Sequence, residues 1–310
     1  MGKFSRIAVI GAGLAGLTMA SRLQASGHDV EVFEKSRGLG GRLASRRTAR
    51  GAFDHGCPGI QSRNVQFLNW LSEAGAVRQG DHHFGVPGMS ALVTSLAEKL
   101  TVRRRTTIKS LRSGHRGWQL LDDTLGIYGP FDAVALAIPA PQAVALLAPV
   151  RPRLADTLRS ATMVPVWTCL AAFDRRLDLP DHVPGAGDFL RADRGSAKPG
   201  RERDPETWVI HMTPAATRQM LELDRNMIAP EILDRFGEMV GLRLPAARHL
   251  DAHRWRYAFA ERPLGQAFAG SADMGVLVGG DWALGQDAES AWASGNAMAE
   301  ALLPIPAATA

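Results

Sequence analysis

The sequence predicts an α/β protein: a domain built on a parallel sheet, with a second, mixed-sheet α+β domain inserted into it. Three observations carry this. Arg6-Ile7-Ala8-Val9-Ile10 is a short apolar run followed by a glycine turn and a helix-like segment, the pattern of a strand buried on both faces. The same style returns near the end, where Gly275-Val276-Leu277-Val278-Gly279-Gly280-Asp281 is another buried run with a glycine turn. Between them the pattern changes, and Val164 to Phe173 and Thr207 to Met212 read as strands of a different sheet.

The elements follow in order. Leu14 to Ser26 reads as a helix closed by Gly27, and Asp29 to Glu34 alternates as the next strand. Gly38 to Gly59 is irregular. Asn64 to Ala76 and Gly88 to Leu100 are amphipathic helices, and Val102 to Leu111 and Trp118 to Leu121 are strands. Phe131 to Ile138 is a buried strand ended by Pro139, with a helix running to Leu147. Asp174 to Asp204, rich in Pro, Gly and charge, reads as loop. Met227 to Val240 is a helix, His253 to Phe259 a strand, and Glu289 to Leu303 a helix of small residues. The expected division is 1–65, 88–150 and 250–310 for the parallel-sheet domain, and 66–87 and 151–249 for the substrate domain.

Composition narrows the function classes. The 310 residues are 45% hydrophobic and 22% charged, ordinary for a soluble globular chain. The net charge is +5, and arginine carries nearly all of the positive charge: the lysines are Lys3, Lys35, Lys99, Lys109 and Lys198. Without a lysine-rich tail or interleaved aromatics, the basic balance does not point to nucleic acid; it reads first as an arginine-rich, solvated surface, with an anionic cofactor or substrate as the sharper alternative. Cys57 and Cys169 stand far apart with no metal spacing, which fits a reducing, cytoplasmic setting. The apolar stretch Ile7 to Ala20 contains Gly11, Gly13 and Gly16 and reads as fold, not as a signal peptide. No segment has the ~20 apolar residues that a membrane-spanning helix needs.

Gly11-Ala12-Gly13-Leu14-Ala15-Gly16 is G-x-G-x-x-G between a predicted strand and a predicted helix, with an acid, Glu34, at the following strand's end. That is the full context of a Rossmann-type dinucleotide fingerprint. Gly11 permits the tight turn, Gly13 lets backbone approach a pyrophosphate, and Gly16 lets helix and strand pack closely. The helix N-terminus offers free N–H groups and a positive dipole end to phosphate. Glu34 is placed to accept ribose hydroxyls and opposes a 2′-phosphate.

Glu34-Lys35-Ser36-Arg37-Gly38-Leu39-Gly40-Gly41-Arg42 resembles the second signature of the flavin amine-oxidase superfamily. The resemblance implies non-covalent FAD, with Arg42 on its pyrophosphate. Gly280-Asp281-Trp282, with Glu289-Ser290-Ala291 and Ser294-Gly295 opening a helix, resembles that superfamily's C-terminal flavin motif, and implies that Gly280, Asp281, Ser290 and Ala291 contact the cofactor. The same resemblance assigns cofactor contacts to Lys35, Gly40, Gly41, Pro58, Ile108 and Pro139.

Phe53-Asp54-His55-Gly56, Gly88-Met89-Ser90, Ile138-Pro139-Ala140-Pro141-Gln142, Lys198-Pro199-Gly200-Arg201 and His253-Arg254-Trp255-Arg256-Tyr257-Ala258 are similar to renalase motifs. The resemblance implies hydride transfer to flavin N5 from a dihydronicotinamide-type or amine substrate, with O2 as acceptor giving H2O2. It departs from the family pattern in three places. Cys57-Pro58-Gly59-Ile60-Gln61 stands where members carry aromatics, the stretch from Trp70 to Gly88 is short, and Ala288-Glu289-Ser290-Ala291 replaces V-E-G-A. A desaturase or amine oxidase acting on an apolar metabolite, or a non-catalytic flavin-binding module, are the alternatives.

Cys57, Gly59, Ile60, Met89, His211 and Trp282 are the expected substrate-pocket residues, His211 and Trp282 because each follows a strand aimed at the cleft. Cys57 reads as a small filler rather than a reactive thiol, and His55 as a local hydrogen-bonder. His82 and His83 point to opposite strand faces and make no metal pair. Trp255 and Tyr257 read as core.

Overall fold

The computed structural model describes residues 4–303; residues 1–3 and 304–310, the outermost parts of the expected first and last segments, lie outside the described residues. The chain divides into two compact units. The first comprises Met1–Gly41, Val93–Met163 and Phe259–Ala310, and the second Arg42–Leu92 and Val164–Ala258.

The first unit is a Rossmann-like α/β layer. Its six-stranded sheet runs Phe268–Ser271, Val276–Gly279, Ala133–Leu136, Arg6–Ile10, Asp29–Glu34, Thr101–Arg104. All neighbours pair parallel except the antiparallel edge strand Phe268–Ser271. The two central apolar runs are buried on both faces, as a parallel sheet requires. The helices Leu14–Ala25 and Ala288–Leu302 pack on each other, where Gly295 admits the backbone of Ala15 and Arg22 reaches Asn296 at 2.7 Å. A three-stranded antiparallel sheet, Ile108–Gly114, Gly117–Asp122 and Ile127–Phe131, adds Leu111, Trp118, Leu120 and Phe131 to the same core. The strand expected over 102–111 is two strands, broken where Arg105 takes φ 57. The helix expected from Gly88 to Leu100 is a 3-10 turn, Met89–Val93, and a single short helix, Thr94–Ala97.

The second unit carries a five-stranded sheet in the order His182–Pro184, Phe189–Arg194, Glu206–Met212, Thr162–Phe173, His249–Arg262. The helix Arg225–Val240, capped by Asp224, buries Ile228, Ile232 and Phe236 against Trp208 and Phe189. Each such aromatic or aliphatic side chain contributes about 1.5–3 kcal/mol on burial. The hairpin of Ser45–Thr48 and Gly51–Asp54 belongs to this unit because Phe53 is buried with Leu170, Ala172 and Val209.

The stretch 174–204, expected as loop, contains the strands His182–Pro184 and Phe189–Arg194. Its buried charges hide the strand pattern. Arg194 is fully buried, bonded to Glu206, to Asp181 at 2.8 Å and to Leu179 O at 2.5 Å, and its guanidinium lies 4.6 Å from the Trp208 ring centroid. A buried arginine with satisfied donors substitutes for an apolar residue there.

Candidate functional site

In the first unit the Arg6–Ile10 strand ends at Gly11, whose φ of 106 excludes a side chain; a Cβ there would overlap the Ala137 carbonyl. Gly13 is the N-cap of the Leu14–Ala25 helix, with no side-chain cap on the first turn, and nothing stands within 4 Å of where its Cβ would be. The first-turn N–H donors thus have no side-chain cap, and the space over the Gly13 Cα is clear. Gly16 packs on the Gly11 carbonyl, and Leu14 and Ala15 are buried beneath the turn. The Glu34 carboxylate is buried and does a job the sequence did not reveal. One oxygen accepts the Ala12 N–H at 2.9 Å and the other the Ser36 N–H at 2.7 Å.

The second glycine turn lies along the first. The Gly40 N–H bonds the Ala12 carbonyl at 2.8 Å, and a Cβ on Gly41 would stand 3.3 Å from the Gly13 Cα. Pro139 caps the Ala140–Leu147 helix, and Lys35 is exposed. Ile108 is a member of the apolar core.

At the C-terminal motif, Gly280 has φ 155 and Asp281 is buried at the start of the short helix Asp281–Leu284. Ser294, part of the C-terminal motif, fixes this turn from the neighbouring helix through bonds that the motif did not specify. Its hydroxyl accepts the Gly280 N–H at 2.9 Å and donates to the Ala267 carbonyl at 2.6 Å. Ser290 and Ala291 are half-buried in the first turn of Ala288–Leu302, where Asp287 takes the Ser290 N–H at 2.8 Å. Trp282, expected as a pocket wall, is fully buried in the first unit's core, with its N–H spent on the Ile138 carbonyl at 3.0 Å. Its bulk and its satisfied donor make it a packing residue.

These residues fit a dinucleotide-type cofactor. Phosphate needs the uncapped N–H groups and the clearance over Gly13, and a ribose needs a carboxylate held in place, which Glu34 is.

The second unit gathers the remaining expected residues. Arg42, half-buried in the Gly41–Leu43 turn, donates to the Ala258 carbonyl at 2.8 Å, and its own carbonyl accepts the Cys57 N–H at 2.8 Å. Cys57, Pro58 and Gly59 are half-buried, while Ile60 and Met89 are buried and form the layer behind. The Cys57 thiol donates to the Gly59 carbonyl at 3.4 Å, and burial pushes its pKa up, so it is no ready nucleophile. His211 donates from Nε2 to the Gly56 carbonyl at 3.2 Å; its Nδ1 is buried without a hydrogen-bond partner among the described residues. Burial drives its pKa down to about 4, so the ring is neutral. His55 is likewise held at about 4, by burial and then by the Arg46 charge. It stacks on Trp255 with ring centroids 5.1 Å apart. Trp255 and Tyr257, expected in the core, are half-buried.

A charge cluster lies in the same unit. Asp54 is buried and accepts the Ser45 hydroxyl at 2.5 Å and the Met89 N–H at 3.1 Å. It also pairs with Lys198 at 3.2 Å and with Arg201. Burial works to raise its carboxyl, and the two cations with the two hydrogen bonds outweigh that, leaving the pKa below its ordinary value. Two buried cations thus share one carboxylate. Arg201 Nη1 has no hydrogen-bond partner among the described residues. Nearby, Arg191 grips Asp193 with bonds of 2.6 and 2.7 Å, and the charges of both Arg191 and Lys198 act on His211 and Cys57. Among the described residues no group of three or more His, Cys, Asp or Glu is placed to hold a metal ion, and no helix is long and apolar enough to cross a membrane.

Residues 9–72 match the NAD(P)-binding Rossmann-like domain, and residues 66–303 match the flavin containing amine oxidoreductase family. Among curated proteins, the chain is 48% identical over 50 residues to a 4,4'-diapophytoene desaturase of Staphylococcus haemolyticus, and 45% identical over 51 residues to that of Staphylococcus aureus. Each match takes in 16% of this chain and 10% of the relative, so the chain aligns with about a tenth of these proteins' length. Among solved structures, a putative protoporphyrinogen oxidase from Exiguobacterium sp. 255-15 is similar with TM-score 0.70 and 14% identity, covering 96% of this chain and 98% of that one. Putrescine oxidase bound to putrescine is similar with TM-score 0.75 and 13% identity, with the same coverages. The structural likenesses concern the fold; the family match spans most of the chain. The chain therefore belongs to the flavin containing amine oxidoreductase family.

Proposed function

We propose that this enzyme is renalase-like, taking a hydride from a dihydronicotinamide-type donor and passing the electrons to O2. Bound FAD, held without a covalent link, supplies the two-electron acceptor at flavin N5. The balance is one dihydronicotinamide, one O2 and one proton giving one nicotinamide cation and one H2O2. Gly11 to Gly16, Glu34, Lys35, Gly40, Gly41, Arg42, Pro58, Pro139, Gly280, Asp281, Ser290 and Ala291 are the proposed cofactor-binding residues. Ile108, whose side chain lies in the apolar core, is proposed with them. Cys57, Gly59 and His211 are the proposed substrate-facing residues, backed by Ile60 and Met89.

The observation that supports this reading is the surplus cation beside Asp54. Lys198 and Arg201 share one carboxylate, and Arg191 pairs with Asp193. A positive face suits a donor bearing phosphate and opposes a cationic amine such as putrescine. His211, neutral at physiological pH, adds no charge and serves as an orienting group.

The test is the absorption spectrum of the purified protein before and after anaerobic addition of mixed dihydro-NAD(P) isomers, with putrescine in parallel. Rapid bleaching by the dihydronicotinamides alone is expected. Bleaching by putrescine alone, or by neither, would overturn the reading.

A further inference from the structure

The stretch Cys57-Pro58-Gly59-Ile60-Gln61 is read from the sequence as one whose aromatics are lost, and the fold puts an aromatic ring against Gly59 from elsewhere. A Cβ on Gly59 would stand 2.9 Å from Phe84 Cε1, 3.2 Å from Phe84 Cζ and 3.3 Å from His82 Cδ2. Real Cβ atoms do not come that close, so the bare Cα of Gly59 is what admits the Phe84 ring. The ring is delivered by the hairpin of Val77–Gln79 and His82–Phe84, which belongs to the shortened segment between Trp70 and Gly88. That hairpin is fastened to the 57–61 stretch by a reciprocal pair: the Ile60 N–H to the His83 carbonyl at 3.0 Å, and the His83 N–H to the Ile60 carbonyl at 2.7 Å.

Phe84 is half-buried, its ring lying against Gly59. The Lys198 ammonium lies 6.0 Å from its centroid, and the His82 ring is 6.1 Å away. A half-buried aromatic ring next to a surplus buried cation matches one ligand chemistry: a planar ring carrying an anionic group. The ring stacks while the cation attracts the anion.

We infer that Phe84 is a specificity-determining residue, forming the aromatic wall of the substrate face in place of a side chain at position 59 and selecting planar, anionic substrates. This rests on the reading that the 57–60 face of the second unit receives the substrate.

The probe is a pair of carboxylates equal in charge and similar in size, benzoate and cyclohexanecarboxylate, titrated calorimetrically into the FAD-loaded protein. The wild type is expected to bind benzoate about threefold to tenfold more tightly, the usual worth of an aromatic contact beyond its area. Phe84→Leu, which keeps an apolar side chain, is expected to equalise the two. Gly59→Ala is expected to do the same by pushing the ring aside, and to have no further effect in the Phe84→Leu background. A merely structural role would weaken both ligands alike. No binding of either carboxylate, no preference in the wild type, or a preference that survives Phe84→Leu would overturn the inference. If benzoate preference holds while dihydronicotinamides leave the flavin oxidised, the renalase-like reading fails and this one stands.

Discussion

Glu34 holds Ala12: its carboxylate accepts the Ala12 N–H at 2.9 Å, so the acid at the end of one strand fixes the glycine turn at the end of its neighbour. The other oxygen holds Ser36 at 2.7 Å. Replacing Glu34 by Ala removes both bonds along with any bond to the cofactor ribose. Hydrogen bonds to a charged group are worth about 1.5–3 kcal/mol each. Glu34→Ala is expected to weaken FAD binding by roughly tenfold to a hundredfold and to lower the Tm of the cofactor-free protein as well. Glu34→Gln leaves one acceptor and is expected to lie between. Fluorescence titration with FAD and thermal unfolding check both; an unchanged Tm without cofactor would show that the turn holds itself.

Ser294 does the corresponding work at the C-terminal motif. A serine in a helix interior gains little from its hydroxyl unless that hydroxyl reaches outside the helix. Here it satisfies the buried Gly280 N–H, and a Cβ on Gly279 would stand only 2.5 Å from it. Ser294→Ala leaves that N–H unpaired, at a cost of about 1–3 kcal/mol. A Tm lowered by several degrees and a weaker FAD affinity are expected. Gly279→Ala is expected to be worse in the wild type than in the Ser294→Ala background, because part of its clash is with the missing hydroxyl; additive effects would remove the coupling.

The division between what was readable and what was not follows sequence distance. The turn Gly11 to Gly16, its strand and its helix are local, and the residue types state their own conformations. Ser294 lies 14 residues from Gly280 and Lys198 lies 144 from Asp54, and no periodicity joins such pairs. Buried charge misleads in the same way. Arg194 and Asp193 sit inside a sheet because they are paired, so the segment holding them read as loop. Trp282 failed differently: its place after a strand suggested the cleft, but only packing shows that the indole turns into the core.

His55 and His211 give the fold a pH limit. Each is held at about 4 by burial, against 6.5 in an open chain. Between those values the unfolded chain takes up protons that the folded chain refuses. Stability is therefore complete above about pH 6.5 and falls as pH is lowered toward 4, by on the order of 3 kcal/mol for each ring. Asp54 adds no slope in this window, since its unfolded value of 3.8 lies below it. His82 and His249, both lowered by burial, add to the same slope. The Tm of the wild type is expected to drop between pH 7 and pH 4.5, and His211→Gln to make that drop shallower. An equal slope in the variant would mean that the ring is not neutralised by burial.

The three-charge cluster of Asp54, Lys198 and Arg201 separates stability from binding. Asp54→Asn leaves two buried cations without a counter-charge, and uncompensated buried charge costs about 3–5 kcal/mol. This variant is expected to unfold at markedly lower temperature, or not to accumulate as folded protein. Lys198→Met removes the surplus charge instead and leaves the Asp54–Arg201 pair balanced. Its stability is expected to stay within about 1 kcal/mol of the wild type, because removing an unmatched cation also removes its desolvation cost. What it loses is the attraction for an anionic donor: KM for the dihydronicotinamide is expected to rise about tenfold with little change in the rate of bleaching at saturation. The double variant Asp54→Asn, Lys198→Met is expected to recover part of the stability that Asp54→Asn loses. Steady-state kinetics and thermal unfolding on the three variants decide it. A Lys198→Met enzyme with unchanged KM would show that the cation serves the fold alone, and the charge argument for the substrate would go with it.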